Sequence, residues 1–143
     1  MTTTSSPRSV EIQRVSAGKF VAINARGGRL EFGGGDALFS PVELLLVAIG
    51  GCSGFDVDSI TARRAEPTEF TVTVSANSIR NDDGNHLEDI DVAFDLVFPD
   101  GDVGDKAREV LPQAIQKTHD RLCTVSRTVE MALPIKMRIV DEA

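Results

Sequence analysis

The chain has no tryptophan and no tyrosine, and phenylalanine, at seven, is its only aromatic residue. Aromatic side chains are thus few for a chain that is 41% hydrophobic, a content that agrees with a folded globular protein. Histidine and cysteine are as scarce, two of each in 143 residues. A structural zinc site usually takes four such ligands, and His86 and His119 share no ligand-spacing motif with Cys52 and Cys123. No metal is expected on that count. Basic runs are missing too. With 15 Lys and Arg against 22 Asp and Glu, the formal charge is −7, which argues against a nucleic-acid partner, because phosphate binding needs a basic face. Long hydrophobic runs are absent. The longest, residues 44–49, is far below the ~18 residues of a membrane span. The opening "MTTTSSPRSV" lacks the apolar centre of a secretory signal. Residues 1–9 read as a flexible polar tail and residues 10–143 as one domain. The expected location is the cytoplasm, where thiols stay reduced.

What is present is an order of short elements. Residues 10–15 and 19–24 are apolar-rich runs around "SAG" and read as a β-hairpin. A third short strand follows at 29–32, and "GGGD" at 33–36 reads as a loop. Ser40-Pro41-Val42-Glu43 is a helix start: Ser40 caps, Pro41 suits the first turn and Glu43 closes a capping box. This helix is expected to reach about Arg64, before Pro67. Its first three turns are apolar all round, which predicts burial on every side. Its second half, with Asp56, Asp58, Arg63 and Arg64, should emerge toward solvent. "EFTVTVSANSIR" (69–80) and "LEDIDVAFDLVFP" (87–99) alternate around "NDDGNH" and form a second hairpin. Residues 105–123 read as a helix containing Pro112, and 133–140 as a last strand. The predicted class is α+β, ordered βββ-α-ββ-α-β.

Cys52 lies behind Gly50-Gly51 in the most hydrophobic part of the chain. A glycine inside a helix costs about 1 kcal/mol relative to alanine, so two in succession need a reason. Either another backbone packs closely there, or space is cleared beside the thiol for a substrate. Cys123 sits in "THDRLCTVSRTV" near His119, Arg121 and Arg127, neighbours that favour a thiolate or match a helix dipole. Spacing alone does not show that the two thiols meet.

"SPVELLLVAIGGCSGFDV" together with "CTVSRTV" resembles the OsmC/Ohr family of thiol-dependent hydroperoxide reductases, and the similarity extends over most of the chain from about Val10. The resemblance implies an intertwined homodimer with a central, buried cysteine-bearing helix and active sites at the subunit interface. It implies that Cys52 is the peroxidatic thiol and Cys123 the resolving one, acting on organic hydroperoxides in oxidative stress defence. The pair would form a disulfide that a dithiol reductant, lipoyl-type or other, reopens. No metal, flavin, haem or other cofactor is implied, nor a membrane partner. An apolar pocket around Cys52, including Phe39, Leu46 and Phe55, is expected to favour organic peroxides. The peroxidase branches carry a glutamate directly after the helix-opening proline. Here that position is Val42, and Glu43 follows one residue later, about 100° round the helix. They also use an arginine from the first hairpin, for which Arg14 is the nearest candidate, with Arg26 and Arg29 as further choices. The alternative is an OsmC-like protein without peroxidase activity that binds a small apolar or thiol ligand in the dimer cleft.

Overall fold

A computed structural model describes residues 2–35 and 37–140. The last residue of "GGGD", Asp36, lies outside the described residues, as do Met1 and 141–143. The chain forms two compact units, one up to Leu45 and one from Leu46 onward.

The first unit is an antiparallel three-stranded sheet in sequence order: β1 (Val10–Ser16), β2 (Lys19–Asn24) and β3 (Arg29–Gly33). The register sets Arg14 opposite Phe20 and Phe20 opposite Phe32. The two rings stack with centroids 5.8 Å apart, and Val21 and Phe32 are buried. The β1–β2 turn needs Gly18, whose φ is +73°. Helix α1 (Pro41–Thr61) starts in this unit with the expected box. The Glu43 amide donates to Ser40 Oγ (3.1 Å), and the Ser40 amide donates to Glu43 Oε1 (2.9 Å).

The second unit takes the rest of α1, the hairpin β4 (Glu69–Asn81) and β5 (Gly84–Val97), and helices α2 (Asp102–Lys117) and α3 (Thr124–Glu130). The hairpin is longer than the sequence suggests. "NDDGNH" contracts to a two-residue turn, Asp82-Asp83, ahead of Gly84, and the flanking residues pair from Asn81↔Gly84 outward. A bulge interrupts the ladder near Ser75 and Asn77. There Asp89 takes a left-handed φ of +54°, and its carboxylate accepts a 3.0 Å hydrogen bond from Asn77 Nδ2. Beyond the bulge Val92, Phe94 and Leu96 alternate inward, and Phe98 packs with Ala65 and Ala107 in a small core.

Helix α1 docks on β4 through its glycines. A Cβ at Gly50 would overlap Val74 Cγ2, and one at Gly54 would lie 3.3 Å from Val72 Cγ2. Gly51 faces open space. The two glycines thus answer to different causes, close packing at Gly50 and an open flank at Gly51. By length and mean hydropathy α1 could cross a bilayer, but buried Ser53 and Thr61 and the glycine contacts with β4 are those of a core helix.

Three expectations are corrected. The first turns of α1 are not buried on every side: Val42 and Val47 are each 50% exposed and Leu45 is exposed as well. One sheet covers one face of a helix, and apolar side chains on the other side stay exposed among the described residues. The long helix ends at Lys117 rather than at Cys123. Thr118–Leu122 widens into a π-helical turn, closed by the Cys123 amide on Thr118 O (2.9 Å), and α3 then starts afresh. Residues 133–140 form no strand. Their apolar side chains point out, with Ile135, Met137 and Ile139 at 83%, 90% and 91% exposure.

Candidate functional site

The π-helical turn has a local consequence. It resets the backbone at Cys123 from helical to extended (φ −75°, ψ 99°), which makes Cys123 the N-cap of α3. Its sulfur takes the place of the usual hydroxyl or carboxylate oxygen. The Ser126 amide donates to Cys123 Sγ at 3.4 Å, Ser126 Oγ lies 3.2 Å away, and Ser53 Oγ donates from α1 at 3.4 Å. Cys123 is fully buried.

Cys52 reaches the same point from α1 and is only half-buried. Asp56, one helical turn later, projects from the same face. The sulfurs of Cys52 and Cys123 and a carboxylate oxygen of Asp56 all lie within 4.8 Å of one another. Both thiols are free. The fold therefore brings together the two cysteines that lie 71 positions apart in sequence.

The two thiols are not equivalent. Burial pushes the Cys52 thiol up, and the neighbouring Cys123 sulfur and Asp56 carboxylate add to this. Burial acts against ionisation of Cys123 as well, but hydrogen bonds from Ser126, Ser53 and the Ser126 amide outweigh it and hold that thiol below its ordinary value. Of the two thiols, Cys123 is therefore the more acidic.

Two of the basic residues expected to favour a Cys123 thiolate are engaged elsewhere. His119 bridges Asp120 (2.9 Å) and Glu130 (3.0 Å), and Arg127 donates to the Asp120 carbonyl (2.8 Å). The two serines and Asp56 were not singled out from sequence. Asp56 is marked only by its i+4 spacing from Cys52, and Ser126 by standing three residues after a capping position.

A cavity of ≈ 350 Å³ is lined by Ser53 and Ser126, the two serines bonded to Cys123, and by the polar Asp91, Gln116, His119 and Glu130. Its apolar wall includes Ile49, Val92, Phe94 and Ile115, and it does not include the expected Leu46 or Phe55. Phe55 turns outward. Phe39 belongs to the first unit, where its backbone bridges to Phe32. The buried Thr118 hydroxyl on the cavity lining has no hydrogen-bond partner. Arg14 stands on β1, Arg29 opens β3 and Arg26 lies in the turn between β2 and β3, all three exposed in the first unit. Glu43 is occupied by its capping box.

An α+β chain with two free thiols meeting beneath a core helix defines the class. The family model for OsmC-like protein matches residues 33–138, and the chain belongs to that family. An uncharacterized protein of Mycobacterium tuberculosis is 26% identical over 133 residues, 91% of this chain and 94% of that protein. The crystal structure of a hypothetical protein from Aquifex aeolicus is similar with a TM-score of 0.72 and 27% identity, covering 90% of each chain. The organic hydroperoxide resistance protein OhrB of Bacillus subtilis shares the fold at 13% identity and a TM-score of 0.54, covering 87% of this chain and 92% of its own.

Proposed function

We propose that the protein reduces organic hydroperoxides with Cys52 and Cys123, as a cytoplasmic homodimer in oxidative stress defence. The observation that carries this reading is the meeting of two free sulfurs within 4.8 Å, one half-exposed and one buried. Peroxide meets the accessible sulfur, Cys52. As the Cys52 sulfur attacks one peroxide oxygen, it gives up its thiol proton. The O–O bond breaks, the alkoxide takes up a proton and leaves as alcohol, and Cys52 becomes a sulfenic acid. The Cys123 sulfur then displaces the hydroxyl as water, and a Cys52–Cys123 disulfide forms. The sum is two thiols and one hydroperoxide giving a disulfide, an alcohol and water. A dithiol reductant reopens the bond by exchange and leaves as its own disulfide. The apolar wall of the cavity, with Ile49, Val92, Phe94 and Ile115, suits an organic substituent on the peroxide. Arg14 is assigned to orienting the peroxide, and Glu43 mainly to capping α1.

Dimerisation is supported by the uncovered apolar face of α1 and by the outward-facing Ile135, Met137 and Ile139. Surfaces of this kind are rare on a monomer and mark association.

The test is single-turnover oxidation. One equivalent of an organic hydroperoxide should remove two free thiols per chain and leave an intrachain Cys52–Cys123 link by mass spectrometry. Cys52→Ser should consume no peroxide. Cys123→Ser should react once and accumulate sulfenic or over-oxidised Cys52. Sedimentation should show a dimer at micromolar concentration. Two free thiols surviving peroxide would leave the second reading, a ligand-binding protein. The unpartnered Thr118 hydroxyl on the cavity lining favours that alternative.

A further inference from the structure

Asp56 has no part in the thiol cycle, yet it is placed against both sulfurs. Its Oδ2 is buried with no hydrogen-bond partner. Among the described residues, no Lys, Arg or His makes an ion pair with it. A buried carboxylate oxygen beside two ionisable sulfurs is costly to leave unpaired. A cation at their common focus would relieve all three groups.

The geometry points to which cation. A tetrahedral zinc ion holds thiolate sulfurs at about 2.3 Å and a carboxylate oxygen at about 2.0–2.2 Å, so its ligand atoms stand some 3.5–3.8 Å apart. The three ligand atoms here fall within 4.8 Å of one another, so they need close by only about 1 Å to reach that spacing. Two sulfurs exclude magnesium and calcium, which select oxygen donors, and one oxygen with two sulfurs suits a borderline divalent ion. The hydrogen bonds from the Ser53 hydroxyl and the Ser126 amide to Cys123 Sγ are those that fix and orient a ligating thiolate. Cys52 is half-exposed and gives a path in.

We propose that the reduced protein binds one zinc-class divalent ion per chain through Cys52 Sγ, a carboxylate oxygen of Asp56 and Cys123 Sγ, with a fourth position open to solvent. Binding releases the thiol protons to solvent and leaves both sulfurs as thiolates, so no oxidant or reductant takes part. The loaded and disulfide states exclude each other, since a disulfide sulfur has no thiolate charge to offer. The metal therefore masks the thiols until it is removed.

The experiment is an anaerobic titration of the reduced full chain with Co²⁺, followed by displacement with Zn²⁺. Wild type should develop thiolate-to-cobalt charge-transfer absorption that saturates at one ion per chain and disappears when zinc replaces cobalt. Cys52→Ser and Cys123→Ser should each lose most of that band. Asp56→Asn should bind at least about tenfold more weakly, because loss of a ligand costs no less than loss of a residue behind one. If Asp56→Asn fails to fold by circular dichroism, Asp56→Cys serves in its place and should strengthen the charge-transfer band. Absence of the band in wild type with two titratable thiols would overturn the proposal. So would an Asp56→Asn variant that binds as tightly as wild type, or an Asp56→Cys variant with an unchanged band. No peroxide enters these readouts, so failure here leaves the peroxidase reading standing, and failure of that reading leaves this one standing.

Discussion

Replacing Gly50 by alanine isolates the contact that seats the cysteine helix on its sheet. Two terms oppose each other. Alanine is worth about 1 kcal/mol over glycine in a helix interior. Against this, the new methyl overlaps Val74 Cγ2 and crowds Val72 Cγ1 at 3.4 Å. Valine is stiff at χ1 and cannot swing that methyl away without changing rotamer. Overpacking of this kind costs about 1–3 kcal/mol, so Gly50→Ala should be neutral to about 2 kcal/mol destabilising. In a Val74→Ala background the obstacle is gone. The same substitution should then stabilise by about 1 kcal/mol, because the methyl fills vacated space and the propensity gain returns. The coupling between the two positions is thus about 1–3 kcal/mol, well outside the additivity expected of independent sites. Thermal unfolding of the four proteins under reducing conditions reads it directly. At roughly 3 °C per kcal/mol for a chain of this size, the effect of Gly50→Ala should differ by about 3–9 °C between backgrounds. An equal shift in both backgrounds would refute the packing argument. Gly50 would then have to be explained by access to Cys52.

Two further outcomes follow from named contacts. Glu43→Gln retains an acceptor for the Ser40 amide and should change stability by only a few tenths of a kcal/mol, whereas Ser40→Ala should cost about 1 kcal/mol in urea unfolding. If Glu43→Gln folds normally but abolishes peroxide reduction, Glu43 acts in catalysis as well as in capping. His119 is held above its ordinary value of 6.5 by hydrogen bonds to Asp120 and then Glu130. A raised histidine pKa stabilises fully below the unfolded value, and the contribution is lost as pH rises through the folded value. The stability gap between wild type and His119→Gln should therefore be widest below pH 6.5 and close above the folded midpoint, which an NMR titration of the imidazole locates. A gap that widened with rising pH would contradict the bridging geometry.

The thiolate assignment shows where sequence logic and structure part. Basic neighbours of Cys123 were visible in the sequence, and basic neighbours lower thiol pKa values in general. But a side chain two to four residues away on a helix can point anywhere round the axis. The π-helical turn sends His119 and Arg127 to the acids and carbonyl of their own segment. The groups that do act on Cys123 are a serine on α3 and another 70 positions earlier on α1.

Local chemistry alone determined much of this protein. The Ser40–Glu43 box, the glycine-dependent hairpin turn and the alternation of the second hairpin depend on residues a few positions apart, and their energetics are settled within one or two turns of chain. The paired cysteine motifs carried the family for the same reason, since each is a short, contiguous pattern. Tertiary structure decided what depends on distance. It set Gly50 against Val74 while leaving Gly51 open, a distinction two identical residues cannot carry in sequence. It divided the expected long helix at Thr118, because the backbone must turn extended for Cys123 to cap α3. It left residues 133–140 unpaired, because an alternating apolar segment becomes a strand only where a sheet edge receives it. And it set the Asp56 carboxylate against two sulfurs, one of them 67 positions further along the chain, a meeting that no local pattern specifies.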